Sequence, residues 1–290
     1  MPKRILVTGA NGQLGSELKA FQSAYREYDM IFVDRTELDL ADAKAIEAYF
    51  ADKTFDIVIN CAAYTAVDKA ENEAEFADAI NHKAVEVLAN IAKVKNISLI
   101  HISTDYVFDG TNFKPYTETD TVNPQGVYGE TKLKGEKAML AINPAHSVII
   151  RTSWVYSAYG ANFVKTMLRL GKERDELGVI YDQVGTPTYA RDLAEAIMVM
   201  LPQLNNENVE LYHYSNEGVC SWYDFAKAIF ELSDTQCNVN PIETKEYPTP
   251  ATRPHNSLLN KAKIKNEFNL TIPYWKDSLK ECLKKMGEEK

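Results

Sequence analysis

The run Tyr128-Gly129-Glu130-Thr131-Lys132 sets a phenol and an ammonium four positions apart, one above the other if the segment is helical. Such a pair can make a proton donor. A phenol with a reference pKa of about 10 is a poor acid–base catalyst near neutrality, but a nearby cation favours phenolate and moves the group toward working pH. The spacing alone does not single it out, because Tyr49/Lys53 and Tyr223/Lys227 repeat it. A second set closes an apolar run, His101-Ile102-Ser103-Thr104-Asp105-Tyr106-Val107-Phe108, where a hydroxyl can polarise a carbonyl. A third, Gly9-Ala10-Asn11-Gly12-Gln13-Leu14-Gly15, reads Gly-x-x-Gly-x-x-Gly. Its glycines suit a tight turn, a close approach of backbone to pyrophosphate and the packing of helix on strand, while a helix N-terminus offers amide donors to the anion.

These three sets need a scaffold that brings them to one edge. Apolar runs at residues 5–8, 31–34, 57–61, 99–103 and 148–152 read as strands, and amphipathic stretches lie between them. The runs do not alternate, as expected of strands covered on both faces, and the stretches between are long enough for crossovers, so a parallel α/β sheet is predicted. The glycine loop then follows the first strand, and Ser103 and Thr104 end the fourth, where open α/β sheets place their chemistry. Tyr128 falls at a helix start before the fifth strand; Tyr49 lies on an earlier crossover helix and Tyr223 in the distal half. Asp34 ends the second strand, positioned to reach the adenine ribose hydroxyls of a dinucleotide. Arg35 beside it suits a 2′-phosphate, so NADPH and NADH both stay open. Asp39 and Leu40 are placed beside the adenine, and Cys61-Ala62-Ala63-Tyr64, after the third strand, beneath the cofactor.

Beyond residue 153 the rhythm loosens into helical stretches at 162–172, 189–201 and 221–232, a strand at 211–214 and a proline-rich loop at 248–254. With 290 residues, 45% of them hydrophobic, the chain can bury a sizeable core. A net charge of −9 argues against nucleic-acid and acidic-membrane partners. Cys61, Cys220, Cys237 and Cys282 show neither zinc spacing nor a disulfide framework. Met1-Pro2-Lys3-Arg4 leads directly into a short apolar run without a signal-peptide pattern, so a cytoplasmic, reducing location is expected.

The glycine loop, the Ser-Thr at a strand end and Tyr-x-x-x-Lys together resemble the extended short-chain dehydrogenase/reductase family. Longer phrases carry the likeness across nearly the whole chain: Ala66-Val67-Asp68-Lys69-Ala70-Glu71, Ser103 to Phe108, Arg151-Thr152-Ser153-Trp154-Val155-Tyr156, Tyr247-Pro248-Thr249-Pro250 and Arg253-Pro254-His255-Asn256-Ser257. The resemblance implies a Rossmann-type doubly wound parallel sheet with a smaller C-terminal α/β substrate-binding domain. The expected division is 1–155 with 186–218 for the cofactor and 156–185 with 219–290 for the substrate. The implied reaction is reduction of the 4-keto group of dTDP-4-dehydro-L-rhamnose by NADPH or NADH, giving dTDP-L-rhamnose. Tyr128 would donate the proton, Lys132 would stabilise the phenolate and hold the nicotinamide ribose, and Thr104 would bond the reacting oxygen.

On the substrate side the resemblance points to Trp154 as a flat wall of the sugar site or else a core aromatic. Arg253 is a diphosphate clamp or a surface ion pair. Asn162, Val67, Asp68, Asp105 and Tyr106 border the cleft or serve as scaffolding. Some members of the family bind Mg2+ through acidic side chains where subunits of a homodimer meet. Glu17 suits such a site, but Arg191 stands where another carboxylate is expected and would repel the ion, so the site is lost or Asp192 takes its place. Alternatives are another nucleotide-sugar reductase or epimerase and a non-catalytic regulatory subunit. Asp105-Tyr106 departs from the Asp-Glu that dehydratases place after the catalytic Thr.

Overall fold

A computed structural model describes residues 2–287 of the chain. The first half alternates β1 (Lys3–Thr8), α1 (Gln13–Phe21), β2 (Tyr28–Val33), α2 (Ala43–Ala51) and β3 (Ile57–Asn60). It continues through α3 (Val67–Ala70), α4 (Ala74–Asp78), a π-helical turn Ala79–Lys83, α5 (Ala84–Lys95), β4 (Ser98–Thr104), a 3-10 turn Asp105–Val107, α6 (Val127–Ile142) and β5 (Val148–Thr152). The second half has β6 (Val155–Tyr156), α7 (Phe163–Glu173), β7 (Glu176–Ile180), β8 (Val184–Gly185), β9 (Thr188–Tyr189) and α8 (Ala190–Met200). After these come β10 (Glu210–His213), β11 (Cys220–Ser221), α9 (Trp222–Ser233), β12 (Asn238–Ile242), α10 (Ala262–Phe268) and α11 (Trp275–Met286).

Six strands form one parallel sheet in the order β10-β5-β4-β3-β1-β2. Strand residues alternate between its two faces although both faces are apolar. Ile5, Val7, Ile57, Ile59, Ile100, Val148 and Ile150 pack against α1 and α8 through Leu14, Leu18, Leu193 and Ile197. Leu6, Val58, Leu99 and Ile149 pack on the other side with Ile46, Phe50, Val85, Leu88 and Met139 of α2, α5 and α6. Chain order reverses direction at β1, with β2 on one side and β3 on the other, so a crevice opens at the carboxyl ends of these strands.

The strand expected at 211–214 forms as β10 and extends the sheet parallel to β5. A separate core gathers Tyr156, Val164, Phe225, Ile229, Trp275 and Leu279 from β6, α7, α9 and α11. Ile264 and Phe268 of α10 instead pack into the sheet core, with the Phe268 ring 5.2 Å from that of Tyr212. All four cysteines are free, and no helix among the described residues is long and apolar enough to cross a membrane.

Candidate active site

A cavity of about 960 Å3 lies at the carboxyl end of the sheet, between the glycine loop, the start of α6 and the segment after β5. The glycine loop is shaped by contacts that exclude side chains. Gly9 has φ +68°, and a Cβ there would sit 2.8 Å from the amide nitrogen of Ala62. A Cβ on Gly15 would meet the carbonyl oxygen of Gly9 at 2.3 Å, so this glycine packs α1 onto the loop and does not itself line the cavity. Gly9, Asn11, Gly12, Gln13 and Leu14 do line it.

Asn11 Nδ2 donates to Asp34 Oδ2 at 2.7 Å, and Thr36 donates to Asp34 Oδ1 through its amide at 2.8 Å and its hydroxyl at 2.6 Å. The Thr36 hydrogen bonds, with help from Asn11, hold the Asp34 carboxyl below its ordinary range. Arg35 is largely exposed, 3.4 Å from Asp39 and with its guanidinium 5.2 Å from the centre of the Phe76 ring. Arg35, Asp39, Leu40, Cys61, Ala62 and Ala63 line the cavity as expected. Tyr64 does not. Its hydroxyl donates to Glu73 at 2.7 Å and its amide to Asn81 at 2.9 Å, which turns it into the packing beneath.

The opposite wall carries Tyr128 and Lys132 from the first turns of α6 and Thr104 from the end of β4. Burial pushes the Tyr128 phenol up to about 12, opposed by a hydrogen bond with Thr104 and reinforced by the nearby Asp105. The expected downward pull of Lys132 on this phenol is not what governs it. The ammonium donates to the carbonyl oxygen of Ile102 at 2.6 Å and lies 3.4 Å from His101 Nε2. Burial pushes Lys132 itself down to about 8, against the pull of Glu136 one turn along. Glu136 is in turn held by Ser103 and by Arg151, which donates to it through Nε at 2.9 Å and Nη2 at 2.6 Å. Thr104 donates to Asp105 Oδ1 at 3.0 Å, and burial pushes the Asp105 carboxyl up to about 7. Neither Tyr49/Lys53 nor Tyr223/Lys227 lines this cavity; the Lys53 ammonium lies over the Tyr49 ring at 4.2 Å.

On the third side the Trp154 indole stacks on Trp222, with centroids 3.6 Å apart. Val67, Asp105, Tyr106, Trp154 and Asn162 line the cavity. Asn162 also has structural work, since its Oδ1 accepts from the Lys165 amide at 3.1 Å as the cap of α7 and its Nδ2 donates to Gln13 at 3.1 Å. Arg253 does not line the cavity. Its guanidinium forms a forked pair with Asp68 at 3.0 and 2.7 Å. Ser153 and Trp222 belong to the wall without having been expected. The position of Ser153 directly after a sheet strand was an available signal; for Trp222, brought in by α9, there was none.

The acidic residues expected at a magnesium site do not fit one. Glu17 is fully buried, with Oε1 accepting from Ser157 and Oε2 from Lys285, each at 2.6 Å. Asp192 accepts from Asn216 and Ser278, the Arg191 guanidinium lies over the Phe21 ring, and among the described residues no three metal-ligating side chains gather.

The family model described as RmlD substrate binding domain matches residues 3–288. A dTDP-4-dehydrorhamnose reductase of Sinorhizobium fredii is 44% identical over 283 residues, 95% of each chain. The crystal structure of a dTDP-4-dehydrorhamnose reductase from Clostridium acetobutylicum aligns with a TM-score of 0.93 at 43% identity, covering 98% of this chain and 99% of that one. The dTDP-4-dehydrorhamnose reductase of Bacillus anthracis, solved in complex with NADP, aligns with a TM-score of 0.93 at 38% identity, covering 98% of this chain and 100% of that one.

Proposed function

Because the chain belongs to the RmlD substrate binding domain family, we propose that it reduces the 4-keto group of dTDP-4-dehydro-L-rhamnose to give dTDP-L-rhamnose, with NADPH as the preferred reductant and NADH as an alternative. One observation carries the reading: Thr104, Tyr128 and Lys132 share a single cavity with the glycine loop and Asp34. The names of the relatives supply the sugar.

The residues fit a nicotinamide dinucleotide. Gly9 and Gly12 leave backbone open where a Cβ would crowd the loop, the amides at the start of α1 suit a diphosphate, and Asp34 is held ionised toward the ribose end. When bound, the cofactor supplies hydride to sugar C4. The chain's own part is the proton. Tyr128, held up at about 12, keeps its proton until the stronger base develops at the C4 oxygen, and then donates it there. Thr104 hydrogen-bonds the same oxygen, and Lys132 favours the phenolate left behind and holds the nicotinamide ribose. Trp154 and Trp222 offer flat apolar surface to the sugar nucleotide. No step uses a metal.

Arg35 at the cavity edge supports NADPH, while Asp34 suits the free hydroxyl of NADH. In this reading residues 1–155 with 186–218 hold the cofactor and 156–185 with 219–290 the sugar nucleotide. Four free cysteines suit a reducing, cytoplasmic setting.

The test is spectrophotometric consumption of NADPH with dTDP-4-dehydro-L-rhamnose beside the corresponding UDP- and GDP-keto sugars. Turnover with the dTDP sugar is expected. Absence of turnover with every sugar would replace the reductase by a binding subunit.

A further inference from the structure

Behind the reacting groups, four polar side chains stand in single file, each no more than 2% exposed: Thr8, Asn60, His101 and Lys132. Thr8 Oγ1 is 2.6 Å from Asn60 Oδ1, Asn60 Nδ2 is 3.1 Å from His101 Nδ1, and His101 Nε2 is 3.4 Å from Lys132 Nζ. The first three occupy facing positions on β1, β3 and β4, Thr8 opposite Asn60 and Asn60 opposite His101. They form one polar row on the sheet face covered by α5 and α6. The row ends at β5, where Ile149 stands opposite His101. The polar partner beyond His101 is therefore Lys132.

The chain of donors and acceptors admits few arrangements. An ammonium has three N–H donors and no lone pair, while a neutral imidazole has one N–H and one bare nitrogen. Burial, with the Lys132 charge beside it, keeps His101 neutral. A charged Lys132 then requires Nε2 to be the bare nitrogen and Nδ1 to carry the proton. Nδ1–H in turn requires Asn60 to present its carbonyl oxygen to it and its amide to Thr8. Thr8 Oγ1 can accept that amide together with the Ala62 amide, 3.3 Å away. With the Asn60 amide turned the other way, Nε2 carries the proton and points a donor at Lys132, which can accept it only as an uncharged amine. An amide presents donor and acceptor in nearly the same shape, so either orientation fits the space.

We propose that His101 is a positioning residue: its Nδ1–H tautomer, set by Asn60 and Thr8, accepts a hydrogen bond from Lys132 and keeps that side chain an ammonium in place against Ile102. The inference rests on Lys132 acting in the reduction as described above. Other titratable groups around the ammonium are Glu136 and Tyr128 on its own helix, and Arg151 on β5, already paired with Glu136. On the segment packed against α6, His82 and Lys83 gather instead around Asp78, as does the exposed Lys134 of α6.

Two measurements test it. In wild-type protein near neutral pH, a long-range 1H–15N spectrum reads which nitrogen of His101 is bare, the signal being assigned by its loss in His101→Gln. Bare Nε2 with protonated Nδ1 is expected, and a protonated Nε2 overturns the proposal whatever the enzyme's activity. In steady-state kinetics, His101→Phe removes the acceptor and should move the alkaline limb of kcat to lower pH by about one unit, the scale of one lost hydrogen bond to a charged group. His101→Gln, which retains an acceptor oxygen, should restore most of that shift. An unmoved limb in a folded His101→Phe enzyme also overturns the proposal. Should that variant not fold, the wild-type spectrum decides alone. Failure of the reductase assignment would show separately, as absent turnover in the substrate panel with the tautomer unchanged.

Discussion

Trp154 lies nearly flat on Trp222, their planes 11° apart, while the Trp154 backbone sits in the left-handed region at φ +49°. That conformation costs a non-glycine residue about 1–3 kcal/mol and persists only where its surroundings hold it. Trp222 is part of what holds it, because its ring fixes the indole plane at the cavity wall. Gly185 packs on the same indole, where a Cβ would come within 2.8 Å of Cε2. Replacing Trp222 with Ala should raise the KM for the sugar nucleotide about five- to tenfold, the scale of a lost aromatic pair. The Kd for NADPH, read by fluorescence titration, should stay within about twofold. A larger effect on NADPH than on the sugar would place Trp222 on the cofactor side.

Asp34 and Arg35 pull cofactor choice in opposite directions. The Asp34 carboxylate, fixed by Asn11 and Thr36, suits a ribose hydroxyl and repels a 2′-phosphate, whereas the Arg35 guanidinium suits that phosphate. Asp34→Ala should weaken NADH by about tenfold, the scale of one charge-assisted hydrogen bond, and leave NADPH unchanged or bound more tightly. Arg35→Ala should weaken NADPH selectively. Isothermal titration with both dinucleotides gives the two ratios, and equal losses for both in each variant would contradict the assignment.

Arg151 and Glu136 form a pair almost wholly removed from solvent, 4% and 1% exposed. Removing one partner leaves a buried charge without its counterion, which costs about 3–5 kcal/mol. Arg151→Met should therefore lower stability by that amount in urea unfolding. Ser103 also bonds Glu136, so the loss should reach the active-site wall and reduce turnover.

Asp105 supplies a pH signature. Burial raises its carboxyl to about 7, well above the ordinary value it regains on unfolding. Between these two values the folded protein binds more protons at this site than the unfolded chain, so its contribution to stability declines as pH rises through about 7. Asp105→Asn should abolish that decline. Urea midpoints at pH 5, 7 and 8 should converge on, then fall below, those of the variant as pH rises; parallel curves for the two proteins would contradict the assigned burial.

The shared placement of the glycine loop, Asp34, Thr104 and the Tyr128/Lys132 pair was legible because it depends on position beside a strand end or on one helical turn, both local properties. The sixth strand was readable as a strand from its residues, but only the resemblance put its segment with the cofactor half, since pairing with β5 joins segments far apart in the chain. Tyr64 and Arg253 were harder for a single reason: each side chain's direction is set by a partner on another segment, namely Glu73 and Asp68. The upward shift of Tyr128 was missed because spacing conveys the nearness of a cation but not the depth of burial, nor that Ile102 and His101 claim the ammonium.

The most direct test of the whole account is Tyr128→Phe in a single-turnover reduction of dTDP-4-dehydro-L-rhamnose, with NADPH binding measured in parallel. Removing the hydroxyl takes away the proton and leaves the cavity's shape, so the reduction rate should fall by about 100- to 10,000-fold while the NADPH Kd changes by less than about twofold. A variant that reduces the sugar at the wild-type rate would contradict the central claim that this phenol is the proton donor.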